Sequence, residues 1–378
     1  MELIDRPPAS VALSPSSRVR LLDGGAQAFP RMLDAIRLAS RYVHLEVYEF
    51  ALDEVGSRFV SALQAAAERG LEVTVILDGW GSVADGNEVA VALRSSGCDV
   101  RVFHPLGEFL SGRLQRNHRK ILLVDDRLAF LGGINVSEEY ADTELRAGWA
   151  DLAVEIEGDA ASWLRGELRG EKKAPLKDPG LRLWLAHEAG AGKLRKRYVK
   201  AIGAARKSIY LAHAYFLPDR RLIRSLRAAT RRGVQVTLLL AGKTDVFFAR
   251  AATMRLHRQL LQAGVRIFEW SRSVLHAKAA VIDGQRLLVG SFNLDPLSLA
   301  NLEALVEIEN DVVAGQGESW ITRRIALSDE VDLADRSRSL LQRWLWDVVG
   351  LWAARATGWL ASLLAFRRRT RKLRESVG

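Results

Sequence analysis

The sequence predicts an α/β fold built from two tandem, pseudo-symmetric halves, with an amphipathic tail after them. Three observations carry this. A helix-to-strand phrase recurs: AIRLASRYVHLEVYEF at 35–50 returns as AIGAARKSIYLAHAYF at 201–216. Each phrase is followed by a helical stretch closing on Arg-Gly, at Gly70 and Gly233, and then by an apolar run, LEVTVILD or VQVTLLL. Finally, the pattern H-x-K-x4-D occurs twice at an interval of 158 residues, as His118, Lys120 and Asp125 and as His276, Lys278 and Asp283. Helices alternating with apolar strands, in duplicate, mean layered α/β units.

Taken in order, the first phrase runs a helix into a buried strand. The next helix stops at Gly70, because glycine adopts the left-handed C′ geometry at little cost. The run at 71–78 has the length and composition of a buried strand. The same readings hold for 201–216, Gly233 and 234–240. Within each motif strand, His and Lys are two apart and share a face. The runs ILLV and AAVI carry those strands on into the core. A glycine turn follows in each half, GGIN ending at Asn135 and GSFN at Asn293, and brings the asparagine back towards the His/Lys face. Between the halves, EKKAPLKDPG at 171–180 is charged, carries two prolines and lacks apolar periodicity. The expected organisation is a first half at 1–172, a linker at 173–182, a second half at 183–340 and a tail at 341–378.

Composition narrows the class. With 378 residues and 48% hydrophobic content, the chain can bury two domain-sized cores. A single cysteine, Cys98, excludes a disulfide framework and a thiolate metal cage. The start, MELIDRPPAS, lacks the basic-then-apolar pattern of a signal peptide. No long uncharged run suggests a transmembrane helix. The net charge of +10 points to a polyanionic partner. Eight basic residues against two acidic ones lie in 341–378, so over half of the excess sits in the tail. There, 344–366 is apolar and rich in tryptophan, and RRRTRK follows at once. A helix of that kind suits an anionic membrane surface; the alternative is a C-terminal helix docked on the body.

The duplicated motifs suit a phosphodiester. Lys120 and Lys278 would neutralise its charge, and the amides of Asn135 and Asn293 would donate hydrogen bonds to its oxygens. One histidine would attack phosphorus to give a phosphohistidine. The other would protonate the leaving alkoxide and then deprotonate the incoming alcohol or water. This scheme requires no metal and no other cofactor. Tyr48, Glu49 and Tyr215 sit at strand ends, where they either line the pocket or pack in the core. His44, His104, His187, His213 and His257 read as surface or satisfied core residues.

These residues resemble the phospholipase D superfamily across 18–310. GGINVSEEY with Asp151 after it, GSFNLDPLSL with Asn301 and Glu303 after it, and LAHAYFLPD at 211–219 are similar to bacterial cardiolipin synthases. The resemblance implies two packed α/β/α sandwich domains, one active site at their interface and a phospholipid substrate. It implies that Asp151 orients His118 and Glu303 orients His276. It also implies that His118 is the nucleophile, and that Asp125 and Asp283, although part of the catalytic motif, are supports. Leu297 departs from the pattern, standing where many of these enzymes have a basic residue. The resemblance is to the members without the two hydrophobic N-terminal helices common in the family.

The expected activity is therefore phosphatidyl transfer, joining two phosphatidylglycerols, or one and another phospholipid, into cardiolipin. Hydrolysis to phosphatidic acid is the alternative with the same site. A superfamily nuclease would use LRKRYVK at 194–200 as its basic stretch, but the charge concentrated in an apolar tail favours lipid over nucleic acid. A silent membrane scaffold would need neither motif. The expected location is peripheral, on the cytoplasmic face of the bacterial inner membrane.

Overall fold

The computed structural model describes residues 7–105, 107–108, 114–143, 146–171, 176–242 and 256–332. The expected tail at 341–378 lies outside the described residues. The first sheet contains β1 (Val11–Ser14), β2 (Ser17–Asp23), β3 (Tyr42–Val47), β4 (Glu72–Asp78), β5 (Asp99–Phe103), β6 (Ile121–Val124), β7 (Leu128–Gly132) and β8 (Leu152–Gly158). Its spatial order is β1-β2-β8-β7-β6-β3-β4-β5. The second contains β9 (Leu181–Leu185), β10 (Ser208–His213), β11 (Gln235–Ala241), β12 (Arg266–Trp270), β13 (Lys278–Ile282), β14 (Arg286–Gly290), β15 (Ala304–Glu309) and β16 (Asp329–Glu330). Its order is β16-β12-β11-β10-β13-β14-β15-β9. Set aside the edge strands β1 and β16, and the two sheets have the same strand order.

Three strands of each sheet are parallel, β3–β5 and β10–β12, and the motif strands β6 and β13 run antiparallel to them. The carboxyl ends of the parallel strands and the start of each motif strand thus share one edge. Helices α1 (Gly24–Arg37), α2 (Glu54–Glu68) and α3 (Gly86–Ser95) bury apolar residues such as Phe29, Leu63 and Leu93 in a core with the first sheet. On the second sheet α5 (Gly192–Ala204) and α6 (Arg220–Arg231) do the same. A third core lies between the sheets. It joins Leu131 and Val154 of the first half to Ala279 and Val289 of the second, with residues of α4 (Asp159–Leu168) and α7 (Asp311–Ile325). From α7, the Trp320 indole N–H and the Arg324 guanidinium donate to Asp23 at the end of β2, at 2.6 and 2.8 Å. The halves are therefore packed as one unit with a shared core. Gly70 and Gly233 both take φ +84° after their helices, the left-handed geometry that the sequence called for. Among the described residues no helix is long and apolar enough to cross a membrane.

The motif aspartates belong to this scaffold. Asp125 and Asp283 sit in the β6–β7 and β13–β14 turns at φ +54° and +56°. The Asp125 carboxylate accepts the N–H groups of Ser40, Arg41 and Tyr42 at 2.7, 2.8 and 3.0 Å, just where β3 begins. Asp283 does the same for Arg206, Lys207 and Ser208 before β10. Burial alone would raise the Asp125 pKa, but the backbone N–H groups outweigh it and the pKa is lowered. A depressed pKa stabilises the fold above the unfolded-state value, and that contribution fades as pH falls through it. Asparagine tolerates the positive φ, so Asp125→Asn isolates the charge. We expect it to cost about 1–2 kcal/mol at neutral pH, a difference that shrinks in acid, with turnover per folded molecule unchanged. Denaturant titrations at neutral and acidic pH, beside activity measured on the folded fraction, check this.

Candidate active site

Two backbone bridges join the halves at the shared edge. Asn117 pairs with Leu302 and Ala150 with Leu275, both in parallel. The His118 N–H donates to the Leu302 carbonyl at 2.9 Å, and the His276 N–H to the Ala150 carbonyl at 2.9 Å. The segment leading into each motif strand is thus zipped to the segment leading into β8 or β15 of the other half.

This zipper corrects the expected carboxylate pairing. Asp151, next to Ala150, places Oδ2 2.6 Å from His276 Nδ1. Glu303, next to Leu302, places Oε2 3.1 Å from His118 Nδ1. Each carboxyl group is hydrogen-bonded to the histidine of the opposite half, not to its own as the resemblance implied. The reason is sheet order: β7 lies between β8 and β6, and β14 between β15 and β13. A carboxylate at the start of β8 is therefore about two strand spacings, roughly 10 Å, from its own motif strand, while the bridge sets it beside the other one. Gly133 makes the approach possible, since a Cβ there would come within 2.4 Å of the Asp151 carboxylate. In the second half Ser291 takes the matching position, and its hydroxyl donates to Glu303 at 2.5 Å.

The hydrogen bonds fix both tautomers. The Ser291 carbonyl lies 3.2 Å from His118 Nδ1. A carbonyl only accepts, so Nδ1 carries the proton and Nε2 the lone pair. A carboxylate at His276 Nδ1 has the same effect there. The rings are held edge-on, His118 by Tyr48 and His276 by Tyr140, at centroid distances of 4.8 and 5.4 Å. Both motif lysines are buried. Each folds back to the carbonyl of its own histidine, Lys120 at 2.9 Å and Lys278 more tightly still. Lys278 Nζ also lies 2.9 Å from the ring nitrogens of His276.

Burial dominates the electrostatics, with the two motif lysines next, and it also pushes the Glu303 carboxyl well above the usual range. Burial and then the charge of Lys278 push Lys120 down to about 7. Burial and then Lys278 hold His276 at about 4, although Asp151 pulls it upward. Burial, with Lys120 and Lys278, also keeps His118 well below the usual histidine value. The free site therefore presents neutral imidazoles between cations, and a bound anion would raise all of these values. Because kcat/KM reports the free enzyme, we expect it to fall as pH rises through about 7, where Lys120 loses its proton. With the anionic substrate bound, the Lys120 pKa rises, so kcat holds to higher pH. A pH–rate profile with coincident alkaline limbs for the two parameters would contradict this.

The Asn135 amide donates to the Tyr140 hydroxyl at 3.0 Å and to Glu49 at 3.3 Å. That Tyr140 hydroxyl is 3.2 Å from His276 Nδ1. Asn293 is buried, and its side-chain carbonyl has no hydrogen-bond partner among the described residues. Glu49 is half-buried and its carboxyl is pushed up to about 6 by burial and by Glu139. Asp125 and Asp283 are outside this assembly, at the far ends of the motif strands. Sequence reasoning did not single out Ser291 or Tyr140, although they lie inside the GSFN and GGINVSEEY phrases. It also read His213 as an ordinary histidine. His213 is fully buried opposite Lys278 in the β10–β13 register, and neither ring nitrogen has a hydrogen-bond partner among the described residues. No group of three or more His, Cys, Asp or Glu among the described residues is placed to hold a metal ion.

Comparison with known proteins is consistent in direction. A family profile described as "Cardiolipin synthase, PLD-like domain" matches residues 32–157 and 198–325. Cardiolipin synthase B of Escherichia coli strain K12 is 34% identical over 317 residues, covering 78% of this chain and 77% of its own. A cardiolipin synthase of Clostridium perfringens is 29% identical over 343 residues, covering 83% and 72%. Among solved structures, phosphatidylserine synthase of Haemophilus influenzae gives a TM-score of 0.70 over 95% of this chain and 97% of its own, at 12% identity. Polyphosphate kinase of Porphyromonas gingivalis gives 0.57 over 89% and 55%, at 14% identity. The two structures are similar in fold.

Proposed function

The chain belongs to the cardiolipin synthase family of phospholipase D-like enzymes, and on that premise we propose that it joins two phosphatidylglycerols into cardiolipin and glycerol. It is a phosphatidyltransferase of the superfamily. The observation that best supports the reaction course is the pair of histidines, one from each half. Each has Nδ1 engaged by a carboxylate and a lysine two residues on.

In the first step His118 Nε2 attacks phosphorus, and the bond from phosphorus to the head-group glycerol oxygen breaks. His276 gives that oxygen a proton. The proton is available because the bound diester's negative charge offsets Lys278 and raises the His276 pKa. Lys120 and Lys278 oppose the charge that develops on the equatorial oxygens, and Asn293 and Asn135 support them. In the second step a head-group hydroxyl of another phosphatidylglycerol gives its proton to His276 and its oxygen attacks phosphorus. The phosphorus–nitrogen bond breaks and cardiolipin leaves. Asp151 and Glu303 hold the rings in register across the half-to-half boundary. The tryptophan-rich, arginine-flanked tail supports peripheral binding to an anionic membrane, on the cytoplasmic face of the bacterial inner membrane, and nucleic acid is not the partner in this reading.

Incubation with phosphatidylglycerol vesicles in chelator, followed by mass spectrometry of the products, tests the proposal. Cardiolipin and free glycerol in equal amounts are expected. Phosphatidic acid without cardiolipin would make water the acceptor, and no lipid turnover would overturn the proposal.

A further inference from the structure

The edge that carries the motif histidines also carries an apolar rim that the chemistry does not use. Leu52, Trp80, Val83 and Leu297 are 40%, 45%, 58% and 47% exposed, four of the eight large apolar side chains left exposed among the described residues. They are far apart in sequence, yet the topology gathers them. The loops holding the first three follow β3 and β4, which end at the histidine edge, and Leu297 follows β14, which ends there too.

The rim is built, not incidental. The Trp80 and Gly81 N–H groups donate to Asp78 at 2.9 and 3.0 Å, fixing the turn that presents the indole. The Ser82 hydroxyl donates to the Tyr48 carbonyl at 3.0 Å, and the Leu52 N–H donates to Asp85 at 2.8 Å, so the two loops form one platform. The Arg116 guanidinium lies over the Trp80 ring at 5.1 Å, two residues before His118. The neighbouring Gln115 donates to the Ala300 carbonyl at 2.8 Å, and the Arg116 N–H to Asn301 at 3.2 Å. That ties the loop of Leu297 to the same platform.

We propose that this rim docks on a phospholipid bilayer, with Trp80, Leu52, Val83 and Leu297 at the boundary between head groups and acyl chains and Arg116 against lipid phosphates. The inference rests on the reading of the substrate as a membrane phospholipid. Its scissile diester lies at head-group depth, so the mouth of the site must be pressed to the surface. An exposed apolar ring with an indole and a stacked guanidinium is suited to that layer, where an amphipathic ring and a cation are both favourable. This contact is separate from the tail: it aims the site, whereas the tail would only tether the chain. It also accounts for Leu297, which stands where many of the resembled enzymes have a basic residue. A leucine there extends the apolar rim.

The test compares full-length wild type with Trp80→Ala and Leu297→Ser on two forms of phosphatidylglycerol. One is long-chain lipid in vesicles, and the other is dihexanoyl lipid dissolved as monomers. We expect each variant to lose about tenfold on vesicles, the scale of one large side chain no longer buried, and to match wild type on monomers. Co-flotation with the same vesicles should weaken in parallel. Equal losses on both substrates would make Trp80 a wall of the pocket and overturn the docking proposal, and so would unchanged flotation and vesicle rates. Flotation needs no turnover, so docking is decided even if the transferase reading fails, and a wild type that floats normally but turns over neither substrate would count against that reading alone.

Discussion

His118→Ala and His276→Ala each lower phosphatidyl transfer by about 10⁴-fold or more, and combining them lowers it little further. The geometry requires this non-additivity, because the site is one assembly and neither half contains a complete one. His118 lies across the half-to-half boundary from its carboxylate, Glu303, and His276 from Asp151. The two variants separate when the leaving group is changed. An activated aryl ester of phosphatidic acid needs no proton to depart, so His276→Ala should release one equivalent of the phenol in a burst. His118→Ala, with no attacking nitrogen, should release none. A burst in the second variant alone would exchange the roles of the two histidines.

Asp151→Asn lowers turnover by about 10³- to 10⁴-fold, through His276 rather than through the histidine of its own half. An asparagine at 2.6 Å from Nδ1 can present its amide N–H, which requires the ring to shift its proton to Nε2. That tautomer cannot accept a proton from the incoming alcohol. Histidine ring NMR distinguishes the crossed arrangement from the within-half one. The His276 signals should change tautomer in Asp151→Asn while those of His118 stay in place, and Glu303→Gln should do the reverse. Movement of the His118 signals in Asp151→Asn would contradict the crossed pairing.

Why the pairing was not legible in the sequence is a matter of dimension. The duplicated His, Lys and Asn positions are local: His118, Lys120 and His276 lie just before the motif strands, Lys278 opens β13, and each asparagine closes a glycine turn. They can be read from spacing alone. Asp151 and Glu303 were implied only by the family resemblance, because they follow their asparagines at different distances and spacing does not mark them. What could not be read was the strand inserted between. β7 keeps Asp151 away from β6, and the Ala150–Leu275 bridge delivers it to the other half. The common strand order of the two sheets was out of reach for the same reason: sequence neighbours β5 and β6 are not neighbours in space. Asp125 shows the converse. Its place in the motif suggests chemistry, but its positive φ and three backbone N–H partners make it a brace between a hairpin turn and β3. Tyr140 and His213 lie inside the phrases GGINVSEEY and LAHAYFLPD, but nothing in those phrases singles either residue out. Only burial beside His276 and Lys278 marks them.

The phosphatidyl group is expected to pass through a histidine of a site shared between the halves. Rapid acid-free quenching with phosphatidylglycerol labelled either in the acyl chains or in the head-group glycerol tests it most directly. The acyl label should become protein-bound within one turnover, map to the peptide containing His118, and vanish in His118→Ala, while the glycerol label stays free. Label on the His276 peptide would keep the shared site and reverse the two roles. Steady formation of cardiolipin with no protein-bound acyl label, or with label on a peptide lacking both histidines, would contradict the account.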